Sequence, residues 1–237
     1  MAITTQSQPL MIAHAGGGIN EHNYSNSLEA LEYSYNKGFR AFEMDFSWTA
    51  DGELVCLHDW KKRFKKIFGF KTKQPLTLKS FQQLLDNTQG LHPCTLDTLA
   101  SWVVNHKDVK IITDVKINNI KAIKKIIVKH PELQPQLIVQ FYQPEEYPIL
   151  KDIGFDELIW ILYQYEGSLK SVANHVESMD LFALSMRASQ VKKKPIQALQ
   201  KKGVNLFVYT INQETKMNKL VNQYSVSGIY TDFLSPN

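Results

Sequence analysis

Strand-length apolar runs alternate with helix-period segments along nearly the whole chain, and this order constrains the fold more than any other feature. Such a chain satisfies both kinds of element by laying its strands parallel and covering them with helices. The runs read as strands over Leu10–His14, Phe39–Trp48, Lys110–Lys116, Leu137–Phe141, Leu158–Tyr163, Leu181–Ser185, Val204–Thr210 and Val226–Thr231. Helical periodicity falls between them, near Leu96–Asn105 and over Ile120–Lys129, Glu145–Ile153, Leu169–Val176, Pro195–Lys202 and Glu214–Gln223. Eight strands with intervening helices suit a closed (β/α)8 TIM barrel. At 237 residues and 43% hydrophobic content the chain can bury a full core, so a single domain over 1–237 is expected.

Local signals refine this order. Asn26 with Glu29 predicts a capping box for a helix carrying Leu28, Leu31 and Tyr35, closed by Lys37-Gly38. Asp51-Gly52 is a tight turn that sends Glu53–His58 back along the second strand. Residues 60–94 fit neither period, so they read as an insertion after the second strand region, with one short helix near Leu78–Leu85.

The net charge of +4 is local: Trp60 to Lys73 holds Lys61, Lys62, Arg63, Lys65, Lys66, Lys71 and Lys73 and no acid. Removing those seven leaves 20 Lys and Arg against 23 Asp and Glu, a slightly acidic body that argues against a nucleic-acid partner. The run at 60–73, interleaved with Phe64, Phe68 and Phe70, is expected to be a solvated arm, with weak membrane-surface contact as the alternative. Cys56 and Cys94 have neither zinc nor redox spacing, so no disulfide is expected and a reducing compartment fits. Met1 to Pro9 lacks a basic region followed by an apolar stretch, and no window reaches a membrane span; the expectation is a soluble, cytoplasmic protein. Oligomeric state is not legible.

Functional groups of such a barrel come from the C-terminal ends of its strands. Residues two apart on a strand share a face, which puts Glu43 and Asp45 opposite Phe42, Met44 and Phe46. Asp114 and Lys116 repeat the device opposite Thr113 and Val115. Carboxylates aimed into the mouth need a positive partner. Three of them suggest one hard divalent cation, Mg2+ or Ca2+, held by Glu43, Asp45 and Asp114. His14 ends the first strand and His58 ends the hairpin arm, so one imidazole can take a proton while the other gives one, as phosphodiester cleavage requires. His22, His92, His106, His130 and His175 fall elsewhere and read as surface residues.

These residues resemble the glycerophosphodiester phosphodiesterase family along the whole chain. The matching blocks are Ile12-Ala13-His14 with a glycine loop, Asn26-Ser27-Leu28-Glu29-Ala30, Glu43-x-Asp45, Thr49-x-Asp51-Gly52 and His58-Asp59. Thr95-Leu96-Asp97-Thr98-Leu99, Asp114-x-Lys116, Val208-Tyr209-Thr210-x-Asn212 and Gly228-Ile229-x-Thr231-Asp232 follow. The resemblance implies a metal-dependent phosphoric diester hydrolase with His14 and His58 as acid–base pair, Glu43, Asp45 and Asp114 on the metal, and Lys116 on the phosphate. The implied substrate is a small phosphodiester or a lysophospholipid. The chain departs from the family where Ala15 replaces the Arg after the first histidine, where Tyr24-Ser25-Asn26-Ser27 replaces Pro-Glu-Asn-Thr, and where Tyr209 replaces a Trp. Related phospholipase C-like and D-like lipid phosphodiesterases, or a barrel that binds phosphodiesters without cleaving them, are the alternatives.

Overall fold

A computed structural model of the chain describes residues 8–236. The reading of the N-terminus falls mainly on residues 1–7 and lies outside the described residues. The strands are β1 (Leu10–Ala13), β2 (Ala41–Trp48), β3 (Leu54–Cys56), β4 (Lys110–Asp114), β5 (Leu137–Phe141), β6 (Leu158–Ile161), β7 (Ala183–Arg187), β8 (Leu206–Tyr209) and β9 (Gly228–Thr231). The helices are α1 (Leu28–Asn36), α2 (Lys62–Phe68), α3 (Leu78–Asp86), α4 (Leu96–Asn105), α5 (Asn119–Lys129), α6 (Glu146–Ile153), α7 (Leu169–Val176), α8 (Ala188–Val191), α9 (Lys194–Lys201) and α10 (Glu214–Tyr224).

Sheet order is β1-β9-β8-β7-β6-β5-β4-β2-β3, and β1 also pairs with β2. That pairing closes eight parallel strands into the expected (β/α)8 barrel, and β3 hangs antiparallel on β2 as the hairpin arm. Ile12, Ala41, Ile112, Ile138, Ile159, Ala183, Phe207 and Tyr230, one from each barrel strand, fill the interior as a single buried cluster. The alternate positions, among them Phe42, Met44, Phe46, Ile111 and Val139, pack outward against the helices. Each large apolar side chain so buried contributes roughly 1.5–3 kcal/mol.

The helix start expected at Asn26 lies one residue later. Ser27 is the N-cap of α1, its hydroxyl accepting from the amide of Ala30. Asn26 is drawn into the barrel mouth by Asp45, and Glu29 accepts from the amide and ring of His92. Both members of the anticipated box thus serve longer-range contacts.

The insertion holds two helices where one was expected. In α2 the residues Phe64, Ile67 and Phe68 form an i, i+3, i+4 apolar stripe that four interleaved basic residues disguise in the sequence. Phe64 and Phe81 are fully buried with Val55 and Leu57 in a small separate core. The aromatic residues of the basic arm therefore turn largely inward, Phe64 completely, while Phe70 remains 46% exposed.

Cys56 and Cys94 form a disulfide, contrary to the sequence reading. The two are 38 residues apart, and only the hairpin brings Cys56 beside the chain leading into α4, where its amide donates to the Cys94 carbonyl at 2.7 Å. Such bridges are commonest in oxidising compartments. Among the described residues no helix is long and apolar enough to cross a membrane.

Candidate active site

The site grows out of strand alternation. Two residues beyond each member of the interior apolar layer stand His14, Glu43, Asp114, Gln140, Ile161, Ser185, Tyr209 and Asp232. Six of these line a cavity of about 200 Å³ at the C-terminal mouth of the barrel, joined by Tyr24, Asp45, His58, Lys116 and Tyr163 among others. All six residues singled out from the sequence, His14, Glu43, Asp45, His58, Asp114 and Lys116, meet there. Asp114 is the last residue of β4, and Lys116 reaches the cavity from just beyond it.

His14 opens a single 3-10 turn, His14–Gly16, directly after β1. Ala15 in this turn is fully buried with left-handed backbone, and its amide donates to Glu43 Oε2 at 2.8 Å. The turn therefore holds Glu43 through the main chain. Its onward path needs glycine: a Cβ on Gly18 would lie 2.5 Å from the carbonyl of Asp232, to which the Gly18 amide donates at 2.6 Å.

His14 Nδ1 lies 2.8 Å from Asp232 Oδ1, and its Nε2 lies 3.8 Å from Glu43 Oε2. Asp232 is itself held by the side-chain amides of Asn212 and Asn23, which donate to Oδ2 at 2.8 and 3.2 Å. Burial alone would lower the His14 pKa, but the hydrogen bond to Asp232 and the charges of Glu43, Asp232 and Asp45 raise it above its ordinary value. Burial likewise opposes ionisation of Asp232, yet His14, Asn212 and Asn23 hold it below the usual carboxylate value.

His58 is arranged in the same way. Its Nδ1 lies 2.9 Å from Asp59 Oδ2, while Asp59 Oδ1 accepts from the amides of Lys61, Lys62 and Arg63 at the head of α2. The ring of Tyr24 stands between the two imidazoles, 4.4 Å from His14 and 5.4 Å from His58 between centroids, edge-on to both. Burial and the surrounding carboxylates push the Tyr24 hydroxyl up to about 12.

Lys116 Nζ donates to Asp45 Oδ1 at 2.6 Å and to Asp114 Oδ2 at 2.8 Å. Asp114 also accepts from the Tyr142 hydroxyl, and Asp45 from Asn26 Nδ2 at 3.0 Å. Burial penalises the Asp45 charge, but Lys116, His58 and Asn26 outweigh it and hold Asp45 well below the usual range. Glu43, with burial and the Asp45 charge acting against ionisation and His14 and Lys116 only partly opposing, is raised to about 8. Oxygens of Glu43, Asp45 and Asp114 lie within 4.8 Å of one another, and buried Glu43 Oε1 has no hydrogen-bond partner. Three oxygen donors with one unsatisfied atom fit a hard divalent cation.

Asp232 and Asp59, the carboxylates that hold the two imidazoles, were not singled out from the sequence. For Asp232 the signal was present: it follows Tyr230 by two residues, as His14 follows Ile12. Of the histidines read as surface groups, His22 is exposed. His92, His106 and His130 are half-buried and face Glu29 at 2.6 Å, Glu32 at 3.4 Å and Asp97 at 2.8 Å, while His175 packs beside Trp160. None of the five lines the cavity.

Comparison with known proteins places these features. The model of the glycerophosphoryl diester phosphodiesterase family matches residues 14–137 and 160–235. A glycerophosphodiester phosphodiesterase of Caldanaerobacter subterraneus subsp. tengcongensis is 24% identical over 242 residues, covering 94% of this chain and 93% of the relative. The glycerophosphodiester phosphodiesterase of Thermotoga maritima has a similar fold, with a TM-score of 0.76 at 20% identity over 95% of each chain. An Oleispira antarctica phosphodiesterase, solved in complex with the product sn-glycerol-3-phosphate, gives a TM-score of 0.73 at 17% identity over 95% of this chain and 93% of that one. The family match spans most of the chain and includes His14, Glu43, Asp45, His58, Asp114, Lys116 and Asp232, and the chain belongs to the glycerophosphoryl diester phosphodiesterase family, a family of phosphoric diester hydrolases.

Proposed function

We propose that this protein, acting as one domain, hydrolyses small glycerophosphodiesters or related phospholipid headgroup diesters, with His14 and His58 as its acid–base pair. The observation that carries this reading is the matched pair of imidazoles. Each has its Nδ1 against a carboxylate, Asp232 or Asp59, which leaves Nε2 for the reacting oxygens. One histidine accepts the proton of the attacking water, or of a substrate hydroxyl whose cyclic phosphate water then opens, as the new P–O bond forms. The other gives a proton to the leaving alkoxide as the old P–O bond breaks. Carboxylate partners keep both rings oriented through the exchange.

Glu43, Asp45 and Asp114 would hold one divalent cation of the Mg2+ or Ca2+ class. When bound, that ion draws negative charge from the phosphoryl oxygens. Lys116, already seated between Asp45 and Asp114, brings a fixed positive charge to the same edge of the cavity, where a phosphate would meet it. Family membership, and the product found in the Oleispira relative, support a glycerol-phosphate diester as substrate.

The test is an assay of glycerophosphodiesters, lysophospholipids and a generic phosphodiester, each with and without chelator. The reading expects turnover of a glycerophosphodiester that chelation abolishes. No hydrolysis of any substrate with Mg2+ or Ca2+ present would favour a barrel that only binds diesters.

A further inference from the structure

On the far side of Tyr24 from the catalytic mouth lies a second cavity, of about 300 Å³, with Arg63, Lys66, His22 and Asn23 in its wall. Tyr24 lines both cavities, whereas Arg63 and Lys66 line only this one. No acidic residue contributes to it. Arg63 is half-buried, its guanidinium stacked 3.7 Å from the centre of the Tyr24 ring. Among the described residues neither cation has a carboxylate partner. Among those residues the Arg63 guanidinium makes no hydrogen bond, and Lys66 Nζ donates only to Asn23 Oδ1 at 3.3 Å.

The other half-buried cations among the described residues are paired, Lys110 with Glu157, Lys116 with Asp45 and Asp114, Lys125 with Glu53, and Lys151 with Asp156. Two unpaired cations sharing one concave wall, one of them a planar fork of N–H donors held flat by stacking, make a receptor for an anion bearing several oxygens. Two positive charges match a phosphate monoester better than a single carboxylate. The shared wall at Tyr24 places the receptor beside any diester held between His14 and His58.

We propose that this cavity is a subsite for a second phosphate, carried by the substrate beyond its scissile diester. The proposal rests on the catalytic reading above for the position of the diester, and not for the existence of the anion site.

The test compares binding of glycerophosphoglycerol with binding of the same molecule bearing a terminal phosphate, measured calorimetrically on the His58→Ala protein so that neither is consumed. The terminal phosphate should tighten Kd by about tenfold or more, the scale of a charge-assisted hydrogen bond. Adding Arg63→Met with Lys66→Met should erase that advantage while both proteins still bind glycerophosphoglycerol, and Arg63→Lys should retain part of it. Equal affinities for the two diesters, or an advantage that survives the double substitution, would overturn the proposal.

Inorganic phosphate separates this from the catalytic reading. It should shift the Arg63 Nε–H NMR resonance of the unsubstituted protein even if neither diester binds. In that case the diester site fails and the anion site stands; no shift at millimolar phosphate counts against the anion site itself.

Discussion

Asp232 Oδ1 lies 2.8 Å from His14 Nδ1, joining the last strand of the barrel to the first across 218 residues of sequence. Both residues sit two positions beyond the interior apolar layer, each directly after the end of its strand, and the neighbouring strands β1 and β9 are in a register that pairs Ile12 with Tyr230. Asp232 fixes the ring and its tautomer, and so presents Nε2 to the cavity. Asp232→Asn keeps the shape and removes the charge. It should lower kcat by about 10²-fold, within the range that positioned acid–base groups supply, with little change in KM. Steady-state kinetics on a glycerophosphodiester check this, and an unchanged kcat would remove Asp232 from the account.

Lys116 neutralises Asp45, which is 2% exposed, together with Asp114. Lys116→Met leaves two carboxylates facing each other and Glu43 without that counter-charge, at a cost of about 3–5 kcal/mol. The melting temperature should fall accordingly. Millimolar Mg2+ or Ca2+ should then raise it more in the variant than in the unsubstituted protein, because binding to the native state alone stabilises it. Equal cation responses in the two proteins would argue that these carboxylates do not hold the ion.

The Cys56–Cys94 bridge closes the insertion at its base. A loop of this length should contribute about 2–4 kcal/mol. Cys56→Ser with Cys94→Ser should therefore lower the melting temperature by roughly 5–15 °C. Thiol titration of the unfolded, unreduced protein should find no free thiol; two free thiols would contradict the bridge.

Glu29 and His92 pin the end of the insertion to α1. Burial works against the Glu29 charge, but the His92 amide and ring lower its pKa below 4.5, and the hydrogen bond to Glu29 raises that of His92 above 6.5. The Glu29 contribution is present above pH 4.5 and is lost as pH falls through the lowered value. The His92 contribution is complete below pH 6.5 and is lost as pH rises through the raised value. The stability difference between the unsubstituted protein and Glu29→Gln should thus be greatest between pH 4.5 and 6.5. Both side chains are more than a third exposed, so it should not exceed about 1 kcal/mol. Melting curves across pH 3–9 check the shape, and a difference that does not vary with pH would refute the pairing.

How much of this was legible follows from the range of each interaction. The strand Leu137–Phe141 and the helix Leu169–Val176 have the bounds read from the sequence, because apolar periodicity is a local property. Glu43 and Asp45 could be placed on the inner face by counting residues along one strand. The disulfide, the grip of Asn26 on Asp45 and the bond from His14 to Asp232 depend instead on which distant segments the barrel brings together. Sequence spacing marks Asp232 as facing the mouth, but it does not say which distant side chain meets which. The helix α2 was hidden for a different reason: its apolar stripe is only three residues and is set among lysines.

The most direct measurement of the central claim is turnover of a glycerophosphodiester by the His14→Ala and His58→Ala proteins, with melting temperature recorded beside it. The account predicts that each substitution lowers kcat by about 10²- to 10⁴-fold while the protein remains folded. Near-normal turnover by either folded variant would contradict it.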